Sequence, residues 1–225
     1  MSSSDSHADS HAPHGAANPY LAHHFDTIEK QDYAARLGMW LFLGTEVLLF
    51  AGLFLGYTVY RHFYHEAFHH CSRALNIGLG TTNTLILITS SLFVALAYWG
   101  VKVGRIKLSL TMMALTIICA FGFLFIKYLE YSHKFHVGEL PGKWFHAEEL
   151  MKYPGANMYF TIYFLTTGLH AFHVIVGMTV LLWVTKGIVK GRYSPAYYVP
   201  VELGALYWHL VDLVWIFLFP LLYLI

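Results

Sequence analysis

Five apolar runs, each long enough to cross a hydrocarbon core as a helix, set the limits on what this chain can fold into. They extend approximately from Leu37 to Tyr60, Asn76 to Val101, Leu108 to Glu130, Met158 to Thr185 and Leu203 to Ile225. About 20 helical residues cover a core about 30 Å thick, and longer runs tilt or project beyond it. Each run is nearly continuous in Leu, Ile, Phe, Val, Ala and Gly, without the two-residue alternation of a transmembrane strand. The predicted fold is therefore all-α, a polytopic membrane helix bundle with five transmembrane helices. Composition agrees, because 57% of the 225 residues are hydrophobic and only 12% charged, against about one-quarter charged in soluble domains.

Polar breaks separate the runs: RHFYHEAFHH, VKVGRIK, a longer Gly/Pro-containing stretch from Ser132 to Asn157, and KGIVKGRYSP. With the N-terminus inside, the inner segments carry Lys30, Arg36, Lys102, Arg105, Lys107, Lys186, Lys190 and Arg192. The outer ones carry Arg61, Arg73, Lys134, Lys143 and Lys152. The inner excess predicts a cytoplasmic N-terminus and a periplasmic C-terminus. Residues 1–33 are rich in Ser, His, Ala and Asp, with Pro13 and Pro19, and lack the basic start and apolar stretch of a secretory signal. They read as a disordered cytoplasmic tail preceding a membrane domain over residues 34–225. The tail motif HADSHAPH, followed by His23 and His24, carries no functional assignment. A net charge of +1, from 14 basic and 13 acidic residues, gives no nucleic-acid footprint. Cys71, read as a loop residue, and Cys119, in an apolar run, have neither CxxC spacing nor evident mutual reach, so neither a disulfide nor a cysteine metal site is expected.

Charges inside a span cost roughly 2.5 to 3.5 kcal/mol each at a helix centre, so every one needs a partner or a purpose. Glu46 lies near the middle of the first run, where Phe42, Leu43, Leu49 and Phe50 are its helical neighbours. Nothing local pairs with it, and its partner must come from another helix, a lipid headgroup or water. The fourth run, TTGLHAFHVIVG, holds His170 and His173 at i, i+3 between Gly168 and Gly177, small residues that permit close helix approach. The fifth, YWHLVDLVW, repeats that spacing with His209 and Asp212. Glu46, His209, Asp212 and His173 fall at similar depth, with His170 deeper. The expected arrangement is a structural polar cluster of His170, His173, His209 and Asp212 that fixes the fourth helix against the fifth. Metal or haem ligation by the same residues is the sharper alternative. Asn83 and Ser132 read as helix–helix or interfacial polar groups. Lys127 and Glu130 read as an intrahelical ion pair that snorkels toward the outer interface. Tyr57, Tyr60, Tyr128, Tyr131, Trp183 and Tyr223 fall near span ends, as an interfacial belt requires.

The strings GMWLFLGTEVLLFAGLF, NTLILITSSLFVALA, KYLEY, FLTTGLHAFHVIVG and VELGALYWHLVDLVWIFLFPLLYL occur in one order over roughly Ala34 to Ile225. This order resembles subunit III of haem-copper oxidases. Seven-helix members of that family are matched over their last five helices, which implies a five-helix bacterial form lacking one wall of the lipid cleft. The resemblance implies a subunit of the bacterial inner membrane with no catalytic residue, redox cofactor or metal of its own. Haem and copper would belong to partner subunits I and II, with bound phospholipid and further respiratory-complex subunits as other partners. Glu46 matches the family's buried, carbodiimide-reactive carboxylate, associated with proton delivery, lipid contact or endurance through turnover. His170, His173, His209 and Asp212 match signatures whose role looks structural. Subunit III of a quinol oxidase and the accessory protein of nitric oxide reductase are neighbouring readings. A proton-coupled transporter and a membrane metalloenzyme are more distant ones.

Overall fold

The computed structural model describes residues 20–224. The sequence-predicted tail, including HADSHAPH, thus lies largely outside the described residues. Five long helices form the bundle: α1 (Ile28–Phe63), α3 (Ile77–Lys102), α4 (Ile106–Val137), α6 (Ala156–Val189) and α7 (Val199–Tyr223). Two short ones, α2 (His65–Arg73) and α5 (Glu148–Met151), lie at the end shared by the α1–α3 and α4–α6 connections. The long helices cover the predicted runs except for Asn76, the N-cap of α3, and Leu224 past the end of α7, and they exceed the runs at several ends; Ile225 lies outside the described residues. The 36 residues of α1 extend about 54 Å at 1.5 Å per residue, well beyond the hydrocarbon core.

Local chemistry explains the ends. Thr27 accepts from the Lys30 backbone N–H at 3.3 Å to start α1, and Asn76 does the same for Leu79 at 3.2 Å in α3, each satisfying a donor that helix geometry leaves unpaired. α1 therefore begins at Ile28, inside the segment read from sequence as tail. Helix α4 stops at Gly138, whose φ of +79° suits a residue without a Cβ. α3 and α4 form a tight antiparallel hairpin, α6 and α7 pack against it, and α1 lies at the edge against α6 and α7. Only 11% of the apolar window of α1 is buried, against 50% for α7, so α1 presents most of its apolar surface, including Trp40, Leu41, Leu48 and Leu55, outward. The core is aromatic, with Trp208, Trp215, Phe123, Tyr159 and Tyr163 fully buried.

Two connections differ from their reading as polar breaks. RHFYHEAFHH contributes α2, which seats Phe68 and Cys71 in the core, with Phe68 edge-on to Tyr159 at 5.2 Å. Cys71 is thus a helical, buried residue, and burial pushes its thiol up to about 12. A thiol held neutral is a poor nucleophile. Maleimide at pH 8 is expected to leave Cys71 unlabelled in the native protein and to modify it after denaturation, as read by mass spectrometry. Beyond α4, residues 139–155 fold back on the bundle and bury Phe145 and Ala147. The predicted aromatic belt is also partial: Tyr128 and Trp183 are exposed, but Tyr57 and Tyr223 are buried in the core.

The two glycines of the fourth run separate in role. A Cβ on Gly177 would lie 2.9 Å from the Trp208 ring, so α7 packs tightly on α6 here. A Cβ on Gly168 would meet only the Tyr131 hydroxyl at 3.9 Å, an ordinary contact. Gly177→Ala is expected to cost about 1–3 kcal/mol through overpacking, whereas Gly168→Ala is tolerated. Thermal unfolding of the purified variants checks the contrast.

Candidate functional site

α1 and α6 bring Glu46 and His173 together across the edge of the bundle. Glu46 Oε2 lies 2.8 Å from His173 Nε2, and His173 Nδ1 lies 2.8 Å from the Leu169 carbonyl oxygen one turn back on α6. A carbonyl only accepts, so Nδ1 carries a hydrogen and donates it. Neutral His173 then has a bare Nε2, and one proton lies between Nε2 and Oε2. It belongs either to a carboxyl donating to neutral imidazole or to an imidazolium donating to carboxylate. Phe50 and Phe172 pack edge-on against the ring at 5.3 and 5.8 Å, while the two side chains stay 15% and 10% exposed. The pair sits at the side of the bundle, covered but still reachable.

The remaining members of the predicted polar cluster go elsewhere. His209 shares a 2.7 Å hydrogen bond with Ser91 on α3. Ser90, the adjacent residue, accepts from Trp208 Nε1 at 3.0 Å and lies 3.5 Å from Asp212 Oδ2. His170 is fully buried, with its ring 5.4 Å from Phe123 and 5.2 Å from Trp215. Thus α6 and α7 are joined less by one shared cluster than by separate ties from α7 to α3 and from α6 to α1. The cause is angular: at 3.6 residues per turn, side chains three apart diverge by about 60°. In a bundle that is enough to point His173 at α1 and His170 at α4 and α7. Among the described residues no group of three or more His, Cys, Asp or Glu side chains is placed to hold a metal ion.

A second centre was read in part from sequence: Lys127 and Glu130 do form the expected ion pair within α4, but in a different place. Lys127 and Glu130 do not snorkel; they are 3% and 4% exposed inside the bundle. Lys127 Nζ donates to Glu130 Oε2 at 2.9 Å, to the Tyr223 hydroxyl at 2.7 Å and to the Tyr163 hydroxyl at 3.4 Å, using all three of its hydrogens. Tyr223 in turn donates to Glu130 Oε1 at 2.6 Å. The ammonium sits 4.8 Å from the Trp215 ring centroid and 5.3 Å from those of Tyr163 and Tyr223, an aromatic box that suits a cation. Two turns on, Lys134 pairs with Glu139 at 2.6 Å, also buried. Snorkelling fails because α4 continues past Glu130 to Val137, so these charges are not at a helix end. The usable sequence signal was the spacing of Lys127, Glu130 and Lys134 on one face, together with the tyrosines of α6 and α7.

The fold and these centres define a polytopic helical membrane protein with buried titratable side chains, several of them paired within or between helices. The cytochrome c oxidase subunit III family model matches residues 16–225. The chain therefore belongs to that family. It is 32% identical over 201 residues to the haem-copper oxidase subunit I+III of Aeropyrum pernix, covering 84% of this chain but 22% of that longer protein. It is 27% identical over 222 residues to cytochrome c oxidase subunit 3 of Gallus gallus and 28% identical over 224 residues to that of Prototheca wickerhamii. Both alignments cover 91% of this chain and 73% of the relative.

Proposed function

We propose that this chain is the non-redox subunit III of a proton-pumping haem-copper terminal oxidase that carries electrons from cytochrome c to oxygen. It packs against the subunits that hold haem and copper, stabilises the catalytic subunit and supports its proton uptake. The observation that carries the reading is the Glu46–His173 pair, a carboxyl hydrogen-bonded to an imidazole at the edge of a subunit III-family bundle, which suits a group that passes a proton. The Aeropyrum pernix relative, named as subunits I and III in one chain, supports subunit I as the neighbour. The membrane is the bacterial inner membrane, with the N-terminus cytoplasmic and the C-terminus periplasmic, as the basic-residue bias favours.

Phospholipid binding belongs to the same reading. α1, α6 and α7 enclose an apolar groove of about 420 Å³ lined by Met39, Phe42, Val176, Val180, Leu203 and Tyr207, with Gln31 and Asp32 at its polar end. One turn from Asp32, Arg36 makes a two-pronged pair with Glu202 at 2.9 and 3.2 Å. An acyl chain fits the groove, with its headgroup at this charged rim.

The test is isolation of the chain from native membranes in mild detergent. It is expected to bring with it subunits containing haem and copper, together with phospholipid. Recovery of the chain free of oxidase subunits would sink the proposal. A companion subunit II without dinuclear copper ligands would move the donor from cytochrome c to quinol.

A further inference from the structure

His170 and His173 sit one turn apart on α6 yet bond differently. His173 satisfies Nδ1 on the carbonyl four residues back. His170 forgoes the corresponding bond, and neither of its ring nitrogens has a partner among the described residues although the residue is fully buried. Asn83 on α3 is in the same position: no solvent exposure, and no partner for either amide atom. Neighbouring hydroxyls in this core behave otherwise, since Thr166 and Thr167 donate to carbonyls of their own helix at 2.7 and 2.6 Å.

The His170 ring lies against Trp215 at 5.2 Å, and Asn83 and Asp212 stand on the two helices that this side chain joins, α3 and α7. Trp215 Nε1 donates at 3.0 Å to Thr84, the residue next to Asn83 on α3. Asp212, one turn from Trp215 on α7, contributes a further buried oxygen, Oδ1, without a partner. A neutral imidazole offers one donor and one acceptor, and an amide offers two donors and an acceptor. Such groups are rarely left unpaired in a folded interior, and inside a bilayer no bulk solvent reaches them.

We propose that the core around Trp215 is a binding site for internal water, held by His170 and Asn83 and extended toward Asp212 Oδ1. Water is the ligand whose chemistry fits, because it both donates and accepts and uses two to four polar partners. Two hydrogen-bonded groups adjoin Trp215: the Lys127 ammonium, 4.8 Å from its ring centroid, and, one turn back on α7, Asp212 with the Ser90 and Trp208 contacts. Waters in the site would join these into one polar seam through the bundle.

The experiment is a structure of the intact oxidase complex at a resolution that reveals ordered water. Density within hydrogen-bond distance of a His170 ring nitrogen and of the Asn83 amide is expected. A dry core, with those atoms bonded to protein or left bare, overturns the proposal. Complexes carrying His170→Phe give a second reading. If water is held there, the variant loses the density at Asn83 and melts at a lower temperature. A melting temperature equal to or above the parent's would mean that an unsatisfied group had merely been removed, and would overturn it as well. Should that variant fail to assemble, the parent density alone decides.

Discussion

Lys127→Met is expected to cost about 3–5 kcal/mol, the range found when one member of a buried ion pair is removed and its partner stays charged. Methionine fills much of the same volume, so the loss is not a cavity effect. It strands the Glu130 carboxylate, 4% exposed, with the tyrosine hydroxyls of the cage as its remaining side-chain donors. Removing both charges in Lys127→Met/Glu130→Leu is expected to recover a large part of the loss, because a well-packed apolar pair needs no compensation for desolvation. The single and double variants thus form a coupled set in which effects are not additive. Thermal melting of the purified complex, or the fraction of this chain retained on it after mild heating, reads the difference. If the single variant is no less stable than the double one, the two charges are not buried as a mutually dependent pair.

That centre also shows where reading the sequence runs out. Hydropathy located the five helices because the signal is additive: twenty apolar side chains outvote any one polar residue. It could not place Lys127, because a charge flanked by apolar residues reads the same whether it reaches outward or is enclosed. Enclosure here depends on Tyr163 and Tyr223, which come from helices far along the chain. Phe68 and Cys71 were hidden for the opposite reason: a short helix with three His residues, Glu66 and Arg73 has low mean hydropathy although one of its faces is buried. Glu46, His170, His173, His209 and Asp212 were all legible as groups needing partners. Their partners were not, since Ser90, Ser91 and Leu169 carry no signal of their own until helix rotation is known. The i, i+3 spacing was the misleading cue, because it marks neighbours on an isolated helix but different facing directions in a crowded bundle.

Glu46→Gln is expected to preserve assembly while shortening the working life of the enzyme by roughly tenfold, equivalent to about 1.4 kcal/mol on the step that the pair supports. The reason lies in His173. With Nδ1 committed to the Leu169 carbonyl, its Nε2 accepts as readily from a glutamine amide as from a protonated carboxyl. The α1–α6 contact therefore survives the change. What disappears is the proton, because an amide does not exchange one with imidazole on the time scale of turnover, so a role in carrying protons is separated from a role in packing. Glu46→Leu removes both functions and should also weaken the contact, by about 1 kcal/mol for the lost hydrogen bond. Assembly is measured by co-purification, and working life by oxygen consumption over sustained turnover. If Glu46→Gln keeps the parent's rate and lifetime, Glu46 serves as a tie between helices, and the proton it shares with His173 has no part in the reaction.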